Sequence, residues 1–311
     1  WKSCNNVSRF DSLEGRRGGE AAALLLHGAG KGSRILKKLA GIGAIGGTAL
    51  AGLAAGRAAW AAQEAGAGGV PVRPFGKTGV KLPVIALGGW DIGTVRADAE
   101  AIGIMQEAAA GGRTFLDNSW EYHGGRSEEL MGRALEGGRR DKVFLMTKVC
   151  GRTKADALKH LDESLRRLRT DRLDLWQFHG IKWDDDADLI FDERNGAALA
   201  AIEARKAGKI RFIGFTGHKA PAFHLGMLRR NEGGRPFEWN SVQMPLNLID
   251  PQYASFQKEV LPVCSARGIP VLAMKSLGAQ KGRIPRELKL GADLCRRYTL
   301  SLPICSMICG I

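Results

Sequence analysis

The sequence is poor in the patterns that build disulfide or metal frameworks. Its 311 residues contain six cysteines and six histidines, but no C-x-x-C pair and no histidine at zinc-ligand spacing. We therefore expect neither a disulfide scaffold nor a metal site. Most of the cysteines are predicted to be core thiols.

The chain also lacks the signature of a nucleic-acid-binding protein. Its net charge is +14, yet no basic stripe is interleaved with aromatic residues and no zinc-finger spacing occurs. Residues 1–80 hold 11 Lys and Arg residues against 4 Asp and Glu residues, so half of this charge lies in the first quarter of the chain. The remainder is mildly basic, and an anionic cofactor would account for it without a nucleic-acid partner.

No apolar stretch is long enough to predict a stable membrane span. Residues 39–55 are glycine-rich and only modestly apolar, whereas a spanning helix needs about 20 strongly apolar residues. This stretch follows a basic cluster and precedes Ala59-Trp60-Ala61, which is the order of a secretory signal. We interpret residues 1–69 as a leader that is cleaved or disordered.

The basic cluster, "SRILKK", resembles a twin-arginine signal. It keeps Ser33, Arg34, Leu36 and Lys37 of that pattern but lacks the second arginine and the phenylalanine. The resemblance implies export to the bacterial periplasm. The alternative is a disordered or loosely helical tail on a cytoplasmic protein.

Strand and helix patterns alternate from Val70 to the end of the chain. A short hairpin is predicted about Gly76 and Gly79. Strands are predicted at Val84–Leu87, Thr114–Leu116, Val143–Thr147, Leu173–Phe178, Ile210–Phe215, Ser241–Gln243, Pro270–Met274 and Ile304–Ile308. Helices are predicted at Ala97–Ala110, Ser127–Leu135, Lys154–Leu168, Gly196–Lys206, Ala220–Arg229, Tyr253–Arg267 and Pro285–Tyr298.

This alternation predicts an α/β fold, a parallel (β/α)8 TIM barrel with an N-terminal β-hairpin, over residues 70–311. The eighth helix has no counterpart before Ile311. We therefore expect the final helix to be absent from this chain and the barrel to be incomplete at its C-terminus.

Four ionisable groups follow three neighbouring strands of the predicted barrel. Asp117 ends the second strand, Tyr122 lies in the loop after it, Lys148 ends the third strand and His179 ends the fourth. Because the working residues of such barrels lie at the carboxyl ends of the strands, we expect these four side chains to converge.

The four groups suit proton transfer to an oxygen atom. A lysine ammonium beside Tyr122 should lower its pKa, and Asp117 would keep that ammonium charged. Tyr122 then acts as a general acid while His179 bonds the same substrate oxygen. Protonation of an oxygen while a cofactor attacks the carbon indicates reduction of a carbonyl group. The simpler interpretation is a structural ion pair between Asp117 and Lys148, with a rim tyrosine and a hydrogen-bonded histidine.

The segment "FLDNSWEYHGGRSEELMGRAL" resembles the signature of the aldo-keto reductases, as do "TK" after the third strand and "RLDLWQFH" along the fourth. "GKIRFIGFTGHK" and "SVQMPLN" are similar to a subgroup that often carries a twin-arginine leader. The resemblance implies that Tyr122 is the proton donor, that Lys148 and Asp117 tune it, and that His179 orients the carbonyl.

The resemblance also implies a nicotinamide cofactor. Thr216, Gly217 and His218 fall where the family holds the nicotinamide carboxamide, and Gln243 matches its second amide contact. Met274, followed by Lys275, stands where the family usually has a tyrosine under the nicotinamide ring. The family implies NADPH, although these residues do not distinguish NADPH from NADH, and the segment that grips the 2′-phosphate would follow the last residue.

Two functional hypotheses follow. The first is an NAD(P)H-dependent reductase of small aldehydes or ketones. The second is a catalytically weak nucleotide-binding or sensor protein on the same fold. The sequence specifies neither the oligomeric state nor the substrate, since the loops that select substrates vary freely on a barrel.

Overall fold

The computed structural model describes residues 69–111 and 114–311, with only the backbone described at 279–281. The predicted leader and its twin-arginine-like signal therefore lie outside the described residues, except for Gly69. Within the described residues, no helix is both long and apolar enough to cross a membrane.

An antiparallel hairpin precedes the barrel, as predicted. Strand β1 spans Val72–Pro74 and strand β2 spans Lys81–Pro83. The turn between them contains two glycines with positive φ, Gly76 at 57° and Gly79 at 77°, a conformation that residues with a Cβ rarely adopt. Phe75, at this turn, is fully buried.

The hairpin covers the N-terminal end of the barrel. The ring of Phe75 packs edge-on against Phe144 and Phe212, with centroid separations of 5.4 Å in both pairs. Both partners lie near the start of their strands. The hairpin therefore leaves the opposite end, where the strands finish, uncovered and available for a functional site.

Eight parallel strands close the barrel in sequence order, so the predicted fold is confirmed. They are β3 (Ile85–Gly88), β4 (Thr114–Asp117), β5 (Val143–Val149), β6 (Leu173–Phe178), β7 (Ile210–Thr216), β10 (Ser241–Pro245), β11 (Val271–Met274) and β12 (Ser306–Cys309). Each strand pairs with its neighbour in the chain, and β12 pairs with β3. A two-stranded hairpin that the sequence did not predict, β8 (Asn231–Glu232) and β9 (Arg235–Pro236), lies between β7 and β10.

Helices follow the strands on the outside of the barrel. They are α1 (Gly89–Ile92), α2 (Asp98–Ala110), α3 (Arg126–Ala134), α4 (Lys154–Leu168), α5 (Asp186–Ile190), α6 (Ala197–Lys206), α7 (Pro221–Leu228), α8 (Phe256–Glu259), α9 (Leu261–Arg267), α10 (Ala279–Leu288) and α11 (Ala292–Ser301). Helix α4 has the predicted bounds. Its N-cap Thr153 accepts a hydrogen bond from the amide of Asp156, and it buries Leu161, Leu165 and Leu168 against the sheet.

Two predicted helices are wrong in extent. The segment Tyr253–Arg267 begins its helical part at Phe256 and divides at Val260 into α8 and α9. The segment Pro285–Tyr298 is also two helices, because Lys289 ends α10 with a positive φ of 52° and α11 begins only after Gly291.

Candidate active site

The carboxyl ends of the strands bring most of the predicted site residues to one edge of the barrel. Asp117 is the last residue of β4, Lys148 is the last but one of β5, and His179 directly follows β6. Further around the barrel, Thr216 ends β7 and pairs in register with Gln243 of β10. Met274 ends β11.

Lys148 lies at the centre of the site. Its side chain is 1% exposed, and its ammonium donates to the Asn118 carbonyl oxygen at 2.6 Å and to Tyr122 Oη at 3.1 Å. It also forms an ion pair with Asp117. Burial alone would lower the pKa of Lys148, but the negative charge of Asp117 and the contact with Tyr122 raise it above its ordinary value. The ammonium is therefore charged at neutral pH.

The expected lowering of the tyrosine pKa is wrong for the protein without ligands. Burial raises the pKa of Tyr122 to about 12 and outweighs the opposing effect of Lys148. The expectation weighed only the lysine, whereas the phenolate would also have to give up its hydration. Tyr122 is accordingly a protonated acid whose hydroxyl is polarised by the ammonium 3.1 Å away.

An unusual loop conformation places Tyr122 over Lys148. After the tyrosine, His123, Gly124 and Gly125 all have positive φ, at 52°, 65° and 98°. A Cβ on Gly125 would be strained at this φ and would also displace the Arg167 guanidinium, whose carbon lies 2.5 Å from the Cβ position. Trp90, just after β3, packs edge-on against the Tyr122 ring at a centroid distance of 5.2 Å.

His179 meets three polar groups through one ring nitrogen. Nδ1 lies 2.8 Å from the Glu121 carboxylate, 3.0 Å from Ser119 Oγ and 3.9 Å from Cys150 Sγ. The ring packs edge-on against Tyr122, with the centroids 5.7 Å apart. Histidine and tyrosine thus face the same space, as the sequence predicted.

The Glu121 contact selects the tautomer of His179. Burial alone would raise the pKa of Glu121, but hydrogen bonds from His179 and Cys150 hold it below its ordinary value, so the group is a carboxylate. Burial lowers the pKa of His179. A neutral imidazole has one N–H, and the carboxylate takes it at Nδ1. Nε2 is then a hydrogen-bond acceptor, whereas the predicted role of His179 toward a carbonyl requires a donor.

The predicted cofactor residues divide into a buried and an exposed set. Thr216, Gln243 and Met274 are buried, and Gln243 Nε2 lies 3.7 Å from Met274 Sδ. Among the described residues, Thr216 Oγ1 and Gln243 Oε1 are buried without a hydrogen-bond partner. His218 and Lys275 are exposed, the latter with a positive φ of 57°.

A buried polar atom without a partner is costly, so a ligand that reaches these two atoms would gain from pairing with them. Thr216 Oγ1 and Gln243 Oε1 present acceptors that an amide NH2 group would satisfy. Gly217, beside Thr216, allows close approach of the chain, since a Cβ there would lie 2.4 Å from the Ile181 carbonyl oxygen. The pair therefore fits a carboxamide such as that of nicotinamide.

Sequence reasoning missed Glu121, Ser119 and Trp90. Glu121 directly precedes Tyr122, and a charged residue next to a candidate acid was an available signal. Trp90 follows the end of β3 in "LGGWD", where barrel strands carry functional side chains. Ser119 offered no signal, because its role depends on the fold of the loop.

Comparison with known proteins agrees with the fold. Residues 84–294 match the model of the aldo/keto reductase family. The chain is 29% identical over 242 residues to the aldo-keto reductase YhdN of Bacillus subtilis, covering 71% of this chain and 67% of the relative. It is 32% identical over 215 residues to the methylglyoxal reductase YeaE of Escherichia coli, covering 67% and 69%.

A solved structure agrees as well. The aldo/keto reductase of Klebsiella pneumoniae, in complex with NADP and acetate, superposes with a TM-score of 0.61 at 24% identity, covering 75% of this chain and 82% of that one. With more than half of its residues matched by the family model, the chain belongs to the aldo/keto reductase family, a family of oxidoreductases.

Proposed function

We propose that this protein reduces the carbonyl group of aldehydes or ketones with NAD(P)H, with Tyr122 as the proton donor. The observation that supports this most directly is the chain of contacts from Asp117 through Lys148 to Tyr122 Oη, 3.1 Å from the ammonium. These contacts lie at the carboxyl edge of the barrel. The contacts place a positive charge beside the hydroxyl of Tyr122, whose ring packs against His179.

The protein's own residues do three things in this scheme. Tyr122 donates its phenolic proton to the carbonyl oxygen, and the Lys148 ammonium stabilises the phenolate that remains. Asp117 keeps the ammonium in place and offsets its charge. The raised pKa of Tyr122, about 12, means that the acid form is fully populated at neutral pH.

Thr216 and Gln243 would hold the cofactor by its carboxamide, through the acceptor atoms that have no partner among the described residues. A bound nicotinamide cofactor supplies the hydride. We propose NADPH because the Klebsiella relative contains NADP. Gly217, His218, Met274 and Lys275 remain proposed cofactor contacts on the basis of the family resemblance.

The substrate class is proposed to be small carbonyl compounds. The similarity to a methylglyoxal reductase supports starting with short dicarbonyls and aldehydes. His179 and Trp90 flank the tyrosine and would define the space for the substrate.

The decisive experiment is cofactor oxidation by purified protein with a panel of small aldehydes and methylglyoxal. Wild type should consume NADPH, and Tyr122→Phe should lose about 10²- to 10⁴-fold in kcat, as expected for loss of a general acid. Tyr253→Phe, at an 89% exposed tyrosine, is the matched control and should keep full activity.

The alternative, a catalytically weak nucleotide-binding or sensor protein, predicts a different result. In that case wild type and Tyr122→Phe would bind NADPH equally in fluorescence titrations and be equally inert with every carbonyl. Parallel titration with NADH measures which cofactor is preferred.

We further propose that the chain belongs to the subgroup with a twin-arginine-type leader and is exported to the bacterial periplasm. The support is the order of basic cluster, weakly apolar stretch and Ala59-Trp60-Ala61 in residues 33–61. Fractionation of bacterial cells that produce the protein should place it in the periplasm, and Arg34→Lys should retain it in the cytoplasm. Cytoplasmic recovery of both proteins would contradict the proposal.

A further inference from the structure

Three side chains of types that can bind a metal converge at the candidate active site. Glu121 follows β4, Cys150 follows β5 and His179 follows β6, so three adjacent strands supply one ligand each. Their ligand atoms all lie within 4.8 Å of one another. His179 is buried and the other two are half-buried.

The spacing is close to that of a metal site. Zinc takes Cys sulfur at about 2.3 Å and His nitrogen or carboxylate oxygen at about 2.0–2.2 Å in a tetrahedron, which puts its ligand atoms about 3.4–3.6 Å apart. The Nδ1 to Glu121 distance is 2.8 Å and the Nδ1 to Cys150 distance is 3.9 Å. Changes of about half an ångström would bring both of these distances to the tetrahedral values.

These groups already contact one another, since His179 and Cys150 both hydrogen-bond to Glu121. Nδ1 carries either one proton or one lone pair, yet it is faced by a carboxylate, a hydroxyl and a thiol. A cation would accept a lone pair from the nitrogen, the sulfur and a carboxylate oxygen at once. The convergence of three donor types on one point is what a cation requires.

We propose that Glu121, Cys150 and His179 bind one zinc ion through a carboxylate oxygen, Sγ and Nδ1, with a fourth position left to water or Ser119. Cys150 loses its proton when the metal binds. The thiolate and the carboxylate then balance the two positive charges of zinc, although Lys182 lies near enough to Glu121 to act on it electrostatically.

Zinc would also change the tautomer of His179. A metal at Nδ1 displaces the proton there, and the neutral ring then carries its proton on Nε2. That form donates a hydrogen bond, which is the role a carbonyl oxygen needs. This consequence rests on the proposed reductase function, but binding of the metal does not, so the two fail independently.

The test is metal binding by the purified, chelator-treated protein. Wild type should take up one equivalent of Zn²⁺, and Co²⁺ at the same site should show a thiolate-to-cobalt charge-transfer band. Cys150→Ser should abolish the band, and both Cys150→Ser and Glu121→Gln should weaken Zn²⁺ binding by more than about tenfold. Cys309→Ser, at another half-buried cysteine, is the matched control and should bind as wild type does.

Two results would overturn the proposal. The first is equal Zn²⁺ binding by wild type and Cys150→Ser, with both folded by circular dichroism. The second comes from nitrogen NMR of histidine-labelled protein. If no imidazole changes to the Nε2-protonated tautomer when Zn²⁺ is added, then Nδ1 of His179 is not a ligand.

Discussion

The ion pair between Lys148 and Asp117 places two charges in the protein interior, where each depends on the other for stabilisation. Both side chains are almost fully buried, and removing one partner would leave the other charge without compensation. We predict that Lys148→Met destabilises the folded protein by about 3–5 kcal/mol. The same substitution also takes from Tyr122 the cation beside its hydroxyl, so activity should be lost together with stability.

A double variant separates these two effects. Lys148→Met combined with Asp117→Asn removes both charges and should recover most of the lost stability without recovering activity. Urea unfolding monitored by circular dichroism gives the free energies of all three proteins. If the single and double variants are equally destabilised, the unpaired charge of Asp117 is not the cause of the stability loss in Lys148→Met.

The positions of the site residues at the strand ends could be predicted from the sequence. Their pKa values and their contacts with the loop could not. Asp117, Lys148 and His179 were predictable because an apolar run ends at or next to each of them. The pKa of Tyr122 was mispredicted because burial depends on the whole packed loop. The contact between Glu121 and His179 depends on backbone angles of that loop, including the positive φ of His123, which no side-chain pattern encodes.

At the scale of elements, two helices packed outside the barrel approach each other unusually closely. Gly132 of α3 lies where a Cβ would be 2.2 Å from the Arg167 carbonyl oxygen and 2.9 Å from the carbonyl carbon of Leu168 in α4. Both of these are backbone atoms, so they cannot turn aside. Any residue larger than glycine would have to push the two helices apart.

We predict that Gly132→Ala destabilises the protein by about 1–3 kcal/mol, the usual range for overpacking. Gly103→Ala is the matched control, because Gly103 is exposed in the middle of α2 and a methyl group there would meet nothing beyond its own helix within 4 Å. The free energy of unfolding of that control should instead rise by about 0.5–1 kcal/mol, because alanine has a higher helix propensity than glycine. Thermal unfolding of both variants measures the opposite shifts, and a matching loss in Gly103→Ala would refute the steric explanation.

The predicted helix boundaries were wrong where a local backbone feature interrupts a continuous helical sequence pattern. Pro262, near the start of α9, has no amide hydrogen to continue a helix from α8. Lys289 adopts a left-handed conformation at the end of α10, which its residue type does not announce. Both errors lie on the outer layer, so the barrel order was predicted correctly in spite of them.

At the scale of the whole barrel, its two ends have different compositions. One end is packed with apolar side chains, and their burial offsets the cost of the buried charges at the other end. The hairpin and the aromatic cluster of Phe75, Phe144 and Phe212 fill the N-terminal end. The ionisable groups of the candidate site lie at the carboxyl end, where Thr216 and Gln243 carry acceptors that have no partner among the described residues. We therefore expect ligand binding to stabilise the entire barrel by mass action.

The stability of the barrel should also depend on pH through His224. Its ring is fully buried between Phe215 and Phe256, and Nε2 donates to the Gln243 carbonyl oxygen at 3.2 Å. Burial lowers the pKa of His224 from 6.5 to about 4. Below pH 6.5 the unfolded chain takes up a proton that the folded chain does not accept until about pH 4. Stability is therefore lost as the pH falls through this window.

Between pH 7 and pH 5 this single group should cost about 2 kcal/mol of folding free energy. His224→Gln keeps a side-chain donor for the Gln243 carbonyl but has no proton to gain, so its stability should fall by about 2 kcal/mol less than that of wild type over the same interval. Urea unfolding at the two pH values measures both losses. Equal losses in the two proteins would show that other groups carry the acid sensitivity. The expected difference would identify the buried His224 ring as a main cause of acid unfolding.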